Sequence, residues 1–452
     1  MAPLAPWLLA ASAAVAPMSA PRAIVLVTID TLRADRLGAY GYRRPTTPFL
    51  DRLAREGALF EHAFASAAHT SPAHAALFTG LHPSQSGVRS NGQGLADAPA
   101  YATLAEVLDG AGYEGAAVSA VNFLKPITRG FHEVSVGHEV KSYRTADETV
   151  DRALAWLARR RPGQRFFLWL HLFDPHLPDR APPGMKSALA FPTKQAAHAW
   201  AEALLLERPS VAGAYRTPLG LAARHAAYDA EVAFADRELQ RLFDRMQAAR
   251  LNEGALWIVT SDHGEGLGDH GYDGHGPLLY DEALHVPLIV WSGGLFAGAR
   301  IGALARHVDL LPTLAEWTNA KRPPPSGFTP PGRSLLSALR DPGRPLPPAF
   351  VFAQRRPPGP KLRDYEPGEV FALRSLEHKY IVRTAAQDEL YDLRADPLEA
   401  TNLAARPLPV RRSLERLARE AFAQAEREGA RSTARPVSPE AEEELRALGY
   451  VQ

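Results

Sequence analysis

The chain has 452 residues, a formal net charge of +1 and no cysteine. That length suits one large α/β domain with a smaller companion. The near-zero charge gives no bulk electrostatic reason to expect nucleic acid or an anionic membrane as partner, and the lack of cysteine excludes a thiol nucleophile, a thiolate metal ligand and any disulfide.

The first 22 residues (MAPLAPWLLAASAAVAPMSAPR) join an apolar run to small residues such as Ala14 and Ala16, so an export signal is the expectation for 1–22. Export would place the protein in the periplasm or outside the cell; without a working signal it would be cytoplasmic. No later run approaches the roughly 20 apolar residues of a membrane helix. Residues 23–29 (AIVLVTI) form a continuous β-branched run, the pattern of a strand buried on both faces of a parallel sheet, and it ends at Asp30. Residues 166–172 (FFLWLHL) and 255–260 (ALWIVT) repeat the pattern and run into FDPH and SDHGE. Helical periodicity covers 47–57, 101–112 and 229–246. The alternation predicts a doubly wound, mostly parallel sheet flanked by helices, whose ligands bind at the C-terminal strand edge.

The Pro- and Ala-rich stretch 178–224 reads as an insertion over that edge, of the kind that shapes access. Pro-rich breaks at 321–334 and 355–369 set off a tail with strand-like VFALRS, HKYIVRT and ELYDL and an amphipathic helix over 410–428. The expected organisation is a catalytic domain over 23–335 and a small α+β subdomain with an antiparallel sheet over 336–452.

The strand ends would gather Asp30, Asp262, His263, His176 and His275, with Thr70 opening a helix in HTSPAHAALFTG. Hard oxygen and borderline imidazole donors together suit Zn²⁺ or Mn²⁺ better than Ca²⁺ or Mg²⁺. A threonine hydroxyl is a weak nucleophile unless activated, and a metal beside it is one means. The free N–H groups of the helix near Pro72 favour a tetrahedral anion there, and Thr70 is a sensible N-cap. His171, on its strand, reads as a core histidine or a support for a ligand.

VTIDTLRADRLGAYGY, TSPAHAALFTGLHPSQSGV, LHLFDPHLPD, TSDHGEGLGDHGYDGHG, LYDEALHVPLIVW and ELYDLRADPLEATNLA occur in this order. Together they resemble the sulfatase family of the alkaline phosphatase superfamily, over nearly the whole chain from about residue 23. The resemblance implies a divalent metal at the strand ends and a Cys/Ser-x-Pro-x-Arg motif whose first residue becomes formylglycine. Here the matching positions are Thr70, Ser71, Pro72, Ala73 and His74, and the second residue of the usual Asp-Asp pair is Thr31. Threonine cannot yield that aldehyde, so no formylglycine is expected. Thr70 and the Asp262-His263 pair look instead like the threonine-nucleophile phosphodiesterases and transferases of the superfamily.

These residues imply Asp30, Thr70, Asp262 and His263 as metal ligands and Thr70 as nucleophile, with His74 orienting it. His176 and His275 would bind substrate oxygens, hold a second metal or protonate the leaving oxygen, and Arg89 and Asn91 are further anion-site candidates. The expected reaction is hydrolysis of a phosphate mono- or diester, small-molecule, glycan or lipid-headgroup. The alternatives are sulfate-ester hydrolysis, phosphoryl transfer and an inactive glycan-binding protein.

Overall fold

A computed structural model describes residues 18–96, 101–137, 143–178, 181–321, 330–347, 349–355, 367–429 and 434–448. The predicted leader therefore lies outside the described residues up to residue 17. Residues 18–22 are packed, with the Tyr113 hydroxyl donating to the Pro21 carbonyl at 2.5 Å and the Trp317 indole to the Ser19 carbonyl at 3.2 Å. Most of the two Pro-rich breaks, 322–329 and 356–366, also lies outside the described residues.

Nine strands form the main sheet: β1 (Ala23–Ile29), β2 (Ala58–Phe64), β3 (Glu114–Ser119), β4 (Glu133–Val136), β5 (Phe166–Leu172), β6 (Ala255–Ser261), β7 (His285–Val286), β8 (Leu288–Trp291) and β9 (Ala299–Arg306). Their order is β4-β3-β5-β1-β6-β8-β2-β7, with β9 beside β2. β4, β3, β5, β1 and β6 run parallel, whereas β8 is antiparallel to both β6 and β2. Alternate residues of β1 explain its unbroken apolar run. Ile24 and Leu26 pack with Leu77 and Phe78 on one face, and Val25, Val27 and Ile29 pack with Phe49, Trp156 and Phe234 on the other.

The predicted helices form as Pro48–Glu56, Leu104–Asp109 and Pro218–Ala248. The last begins well ahead of residue 229 because the Thr217 hydroxyl caps it and Pro218 sits in its first turn, where a missing N–H leaves nothing unpaired. The final residues of the predicted insertion thus belong to the core helix, and the insertion proper contributes Pro183–Leu189 and Lys194–Glu207. Among the described residues no helix is long and apolar enough to cross a membrane.

The tail carries an antiparallel sheet of β10 (Val351–Arg355), β11 (Val370–Arg374), β12 (His378–Arg383) and β13 (Glu389–Asp392). Its two faces obey the period of two. Ala353, Ala372 and Ile381 join the core of the main domain, and Phe352, Phe371 and Val382 pack under the helix Pro409–Gly429.

Ion pairs hold the insertion and the SDHGE loop over the strand ends. The Arg33 guanidinium, 2% exposed, donates to Asp269 at 2.6 Å, to Asp35 at 2.7 Å and to the Glu265 carbonyl at 2.9 Å. Arg208, from the insertion, reaches the same two carboxylates at 2.7 and 3.0 Å. Replacing Arg33 with Met should cost about 1.5 to 3 kcal/mol, because it removes the charged hydrogen bonds to buried Asp269 and the Glu265 carbonyl while Arg208 still pairs with both carboxylates. Denaturant unfolding checks this, and a loss under 1 kcal/mol would rule the clamp out.

Candidate active site

Parallel registry builds the centre of the site. Ile29 of β1 pairs with Leu172 of β5 and Ser261 of β6, so Asp30 and the Asp262-His263 pair leave adjoining strand ends side by side. Thr70 reaches the same place as the first residue of the helix Thr70–Thr79, every residue of which is buried. His69, not Thr70, is the N-cap, and no side chain caps this helix, which corrects the expectation from sequence. The Thr70 hydroxyl instead lies 3.4 Å from His263 Nε2.

One ligand atom each from Asp30, Asp262 and His263 falls within 4.8 Å of the others, and among the described residues this is the only such group. Asp30 is fully buried and neither of its oxygens has a hydrogen bond of normal geometry. Asp262 Oδ2 is likewise unpartnered, while its Oδ1 accepts from the His263 amide at 2.9 Å and the Thr31 amide at 3.3 Å. Burial, then the charges of Asp262 and Glu265, raise the Asp30 carboxyl well above its usual range, and burial pushes Asp262 up to about 6. The His263 Nδ1–H donates to the Gly264 carbonyl at 3.0 Å, which turns Nε2 toward Asp262 Oδ2 at 3.4 Å and Asp30 Oδ1 at 3.8 Å. Burial and the neighbouring His275 push His263 down to about 3, so the ring is neutral at physiological pH. Orphaned carboxylate oxygens facing a free imidazole nitrogen fit a divalent cation.

His74 is fully buried one turn along the helix. Its Nδ1–H donates to the Thr70 carbonyl at 2.8 Å and its Nε2 meets the Thr28 hydroxyl at 2.9 Å. It touches the backbone of the candidate nucleophile. His176 stacks on Phe173 with centroids 4.2 Å apart, and His275 stacks on His263 at 4.5 Å and meets His176 edge-on at 4.9 Å. Burial, then each other's proximity for His176 and that of His69 for His275, push both to about 3. They stand beside His263 as neutral donors and acceptors, and they join no second metal-ligand group among the described residues.

The two anion-site candidates differ: Arg89 is paired elsewhere, whereas Asn91 keeps a buried Nδ2 without a hydrogen-bond partner among the described residues. The Arg89 guanidinium pairs with Glu426 of the C-terminal helix at 2.7 Å, so its charge is already spent. Asn91 accepts the Ser71 amide at 2.9 Å and so steadies the first turn of the nucleophile helix.

Sequence reasoning missed Glu265 and His69. Glu265, 1% exposed, sets Oε1 3.7 Å from His275 Nδ1 and adds negative charge around Asp30. His69 precedes Thr70, and burial with His263 and Arg355 nearby pushes it down to about 3. The loop itself demands glycine: a Cβ on Gly264 would lie 2.0 Å from the Glu282 carbonyl.

His270, in the same loop, is an anchor. It sits at φ 52, stacks on Tyr280 with centroids 3.6 Å apart, and donates to Glu282 at 2.8 Å and to the Glu399 carbonyl at 3.2 Å. Against the cost of burial, the Glu282 carboxylate raises it to about 9. A histidine raised on folding contributes stability that is full below about pH 6.5 and is lost as pH climbs through the folded value. Wild type should lose up to about 3 kcal/mol across that window, and Glu282→Gln should flatten the loss. Unfolding titrations at both ends of the window decide it; equal slopes for the two proteins would sink the assignment.

A doubly wound sheet that brings two carboxylates, an imidazole and a hydroxyl to its C-terminal edge has the architecture of the ester hydrolases of the alkaline phosphatase superfamily. The sulfatase family signature matches residues 22–320, and the chain belongs to that family of ester hydrolases. It is 24% identical over 443 residues to the uncharacterized sulfatase YidJ of Escherichia coli (strain K12), across 85% of this chain and 83% of that protein. Its fold is similar to that of a phosphonate monoester hydrolase of Agrobacterium radiobacter, with a TM-score of 0.71 and 21% identity over 90% of this chain and 96% of that one. It is also similar to a protein solved in complex with its substrate D-glucosamine-2-N,6-O-disulfate, with a TM-score of 0.74 and 19% identity over 90% of this chain and 99% of that one.

Proposed function

We propose that the chain hydrolyses phosphate mono- or diesters through a covalent intermediate on Thr70. The observation that carries this reading is the Thr70 hydroxyl: buried, released from any capping bond, and 3.4 Å from His263 Nε2 beside two carboxylates. A dication held by Asp30, Asp262 and His263, with Zn²⁺ or Mn²⁺ suiting that mixed donor set, would supply Lewis-acid charge beside the substrate and the hydroxyl.

The protein's own groups do the rest. His74 fixes the Thr70 carbonyl and with it the direction of the side chain. Thr70 Oγ attacks phosphorus and gives up its proton, the bond to the ester oxygen breaks with its electron pair, and that oxygen takes up one proton, so the threonine's hydrogen is balanced by the one on the released alcohol. His176 and His275, neutral and next to His263, donate to the anionic oxygens or the leaving oxygen. Water then cleaves the phosphothreonine, releasing phosphate or a monoester and restoring the hydroxyl. In-line positioning and charge stabilisation are the main demands of this chemistry.

The competing reading is sulfate-ester hydrolysis, favoured by the family and by the similar fold of the protein solved with a disulfated glucosamine. A sulfated threonine, however, lacks the ready release that an aldehyde hydrate provides. Metal-supplemented turnover of an aryl phosphate, a bis-aryl phosphate and an aryl sulfate separates the two. Preference for either phosphate by tenfold or more in kcat/KM is expected, and preference for the sulfate by that margin would reverse the assignment.

A further inference from the structure

The buried Thr28 hydroxyl, two residues before Asp30, has three nitrogen partners: Trp169 Nε1 at 3.0 Å, His74 Nε2 at 2.9 Å and His171 Nδ1 at 3.1 Å. A hydroxyl donates once and accepts through two lone pairs. The indole N–H can only donate, so it occupies one lone pair. His74 keeps its proton on Nδ1, because that nitrogen faces the Thr70 carbonyl at 2.8 Å. Its Nε2 is then an acceptor and takes the one hydrogen that Thr28 has. The second lone pair of Thr28 is left for a hydrogen from His171 Nδ1.

His171 therefore carries its proton on Nδ1 and presents a bare Nε2. That nitrogen is fully buried, has no hydrogen-bond partner and stands 3.5 Å from Asp30 Oδ2, which is also an acceptor without a partner. Two lone-pair donors facing each other in a dry interior repel, and a cation shared between them removes the cost.

We propose that His171 Nε2 is a further ligand of the dication held by Asp30, Asp262 and His263. The proposal rests on the metal-dependent reading above and adds a residue to it. His263 flanks Asp30 on the Oδ1 side at 3.8 Å and His171 flanks it on the Oδ2 side at 3.5 Å, so an ion on this carboxylate has an imidazole at each hand. His171 lies outside the 4.8 Å trio, so its ligation requires the Asp30–His171 edge to close toward the ion on loading. β5 and β1 supply the alignment, since His171 is the registered neighbour of Thr28.

Loss of a ligand and loss of a group that merely supports one both weaken metal binding, the latter by about 10- to 100-fold. Affinity alone is therefore not the test; a count of coordinated nitrogens is. The full chain loaded with Mn(II) is examined by pulsed electron paramagnetic resonance, which registers each imidazole bound to the ion. Two coupled imidazoles in wild type and one in His171→Phe are expected. Should His171→Phe misfold, His275→Ala decides instead: two couplings kept there assign the second imidazole to His171, and one coupling left assigns it to His275 and overturns the proposal. One imidazole in wild type overturns the assignment of His171 while leaving the metal site standing. Failure of wild type to bind either Mn(II) or Zn(II) in equilibrium dialysis overturns the metal-dependent reading itself, and this ligand with it.

Discussion

Thr70→Ala should reduce turnover of the best ester substrate by about four orders of magnitude or more, the scale seen when a covalent nucleophile is removed. The structure makes this variant unusually clean. Thr70 is not the cap of its helix, so Ala forfeits no capping bond and loses only the hydroxyl's approach to His263 at 3.4 Å and its interaction with the Asp30 carboxylate. The stability cost should stay within about 1 kcal/mol, the net worth of one ordinary hydrogen bond. Thr70→Ser keeps the oxygen and should retain a measurable part of the rate. Acid-quenched wild type, caught with a slow phosphodiester, should show a phosphoryl adduct on the peptide that contains Thr70. Wild-type rates in a folded Thr70→Ala protein would end the covalent mechanism.

What the sequence disclosed follows a physical line. Asp30, Asp262 and His263 were legible because each ends a strand buried on both faces, and such strands announce themselves as unbroken apolar runs. β2 was not, since Glu61 and His62 interrupt ALFEHAF where the strand is only partly covered. β10 (VFAQR) was hidden against the second Pro-rich break. The early start of the long helix was masked by Pro218, which composition assigns to a loop and geometry places in a first turn. Contacts between distant segments were out of reach. Arg89 looked available for an anion because Glu426, its partner, comes from the far end of the chain. The joint of His74, Thr28 and His171 depends on β5 lying beside β1, and only sheet order reveals that.

Asp262→Asn should move the protein in opposite directions with and without metal. Burial raises the Asp262 carboxyl to about 6, with fully buried Asp30 also raised beside it. A carboxyl raised on folding, from an unfolded value near 3.9, costs stability progressively as pH climbs through that interval, and the cost is fully present at neutral pH. For Asp262 it amounts to roughly 3 kcal/mol in the metal-free protein. Asparagine keeps an oxygen for the His263 and Thr31 amides but carries no charge, so chelated Asp262→Asn should melt higher than chelated wild type. Metal reverses the order. A ligand that binds only the folded state stabilises it in proportion to the logarithm of its concentration over Kd. The variant, lacking one of two carboxylate donors, should bind the ion at least about 100-fold more weakly and gain correspondingly less. Turnover should fall by at least the same factor. Calorimetry of both proteins, with chelator and with saturating Zn(II) or Mn(II), reads the crossing directly. Parallel shifts, with wild type above the variant under both conditions, would mean that Asp262 is a structural carboxylate and that the dication is held elsewhere.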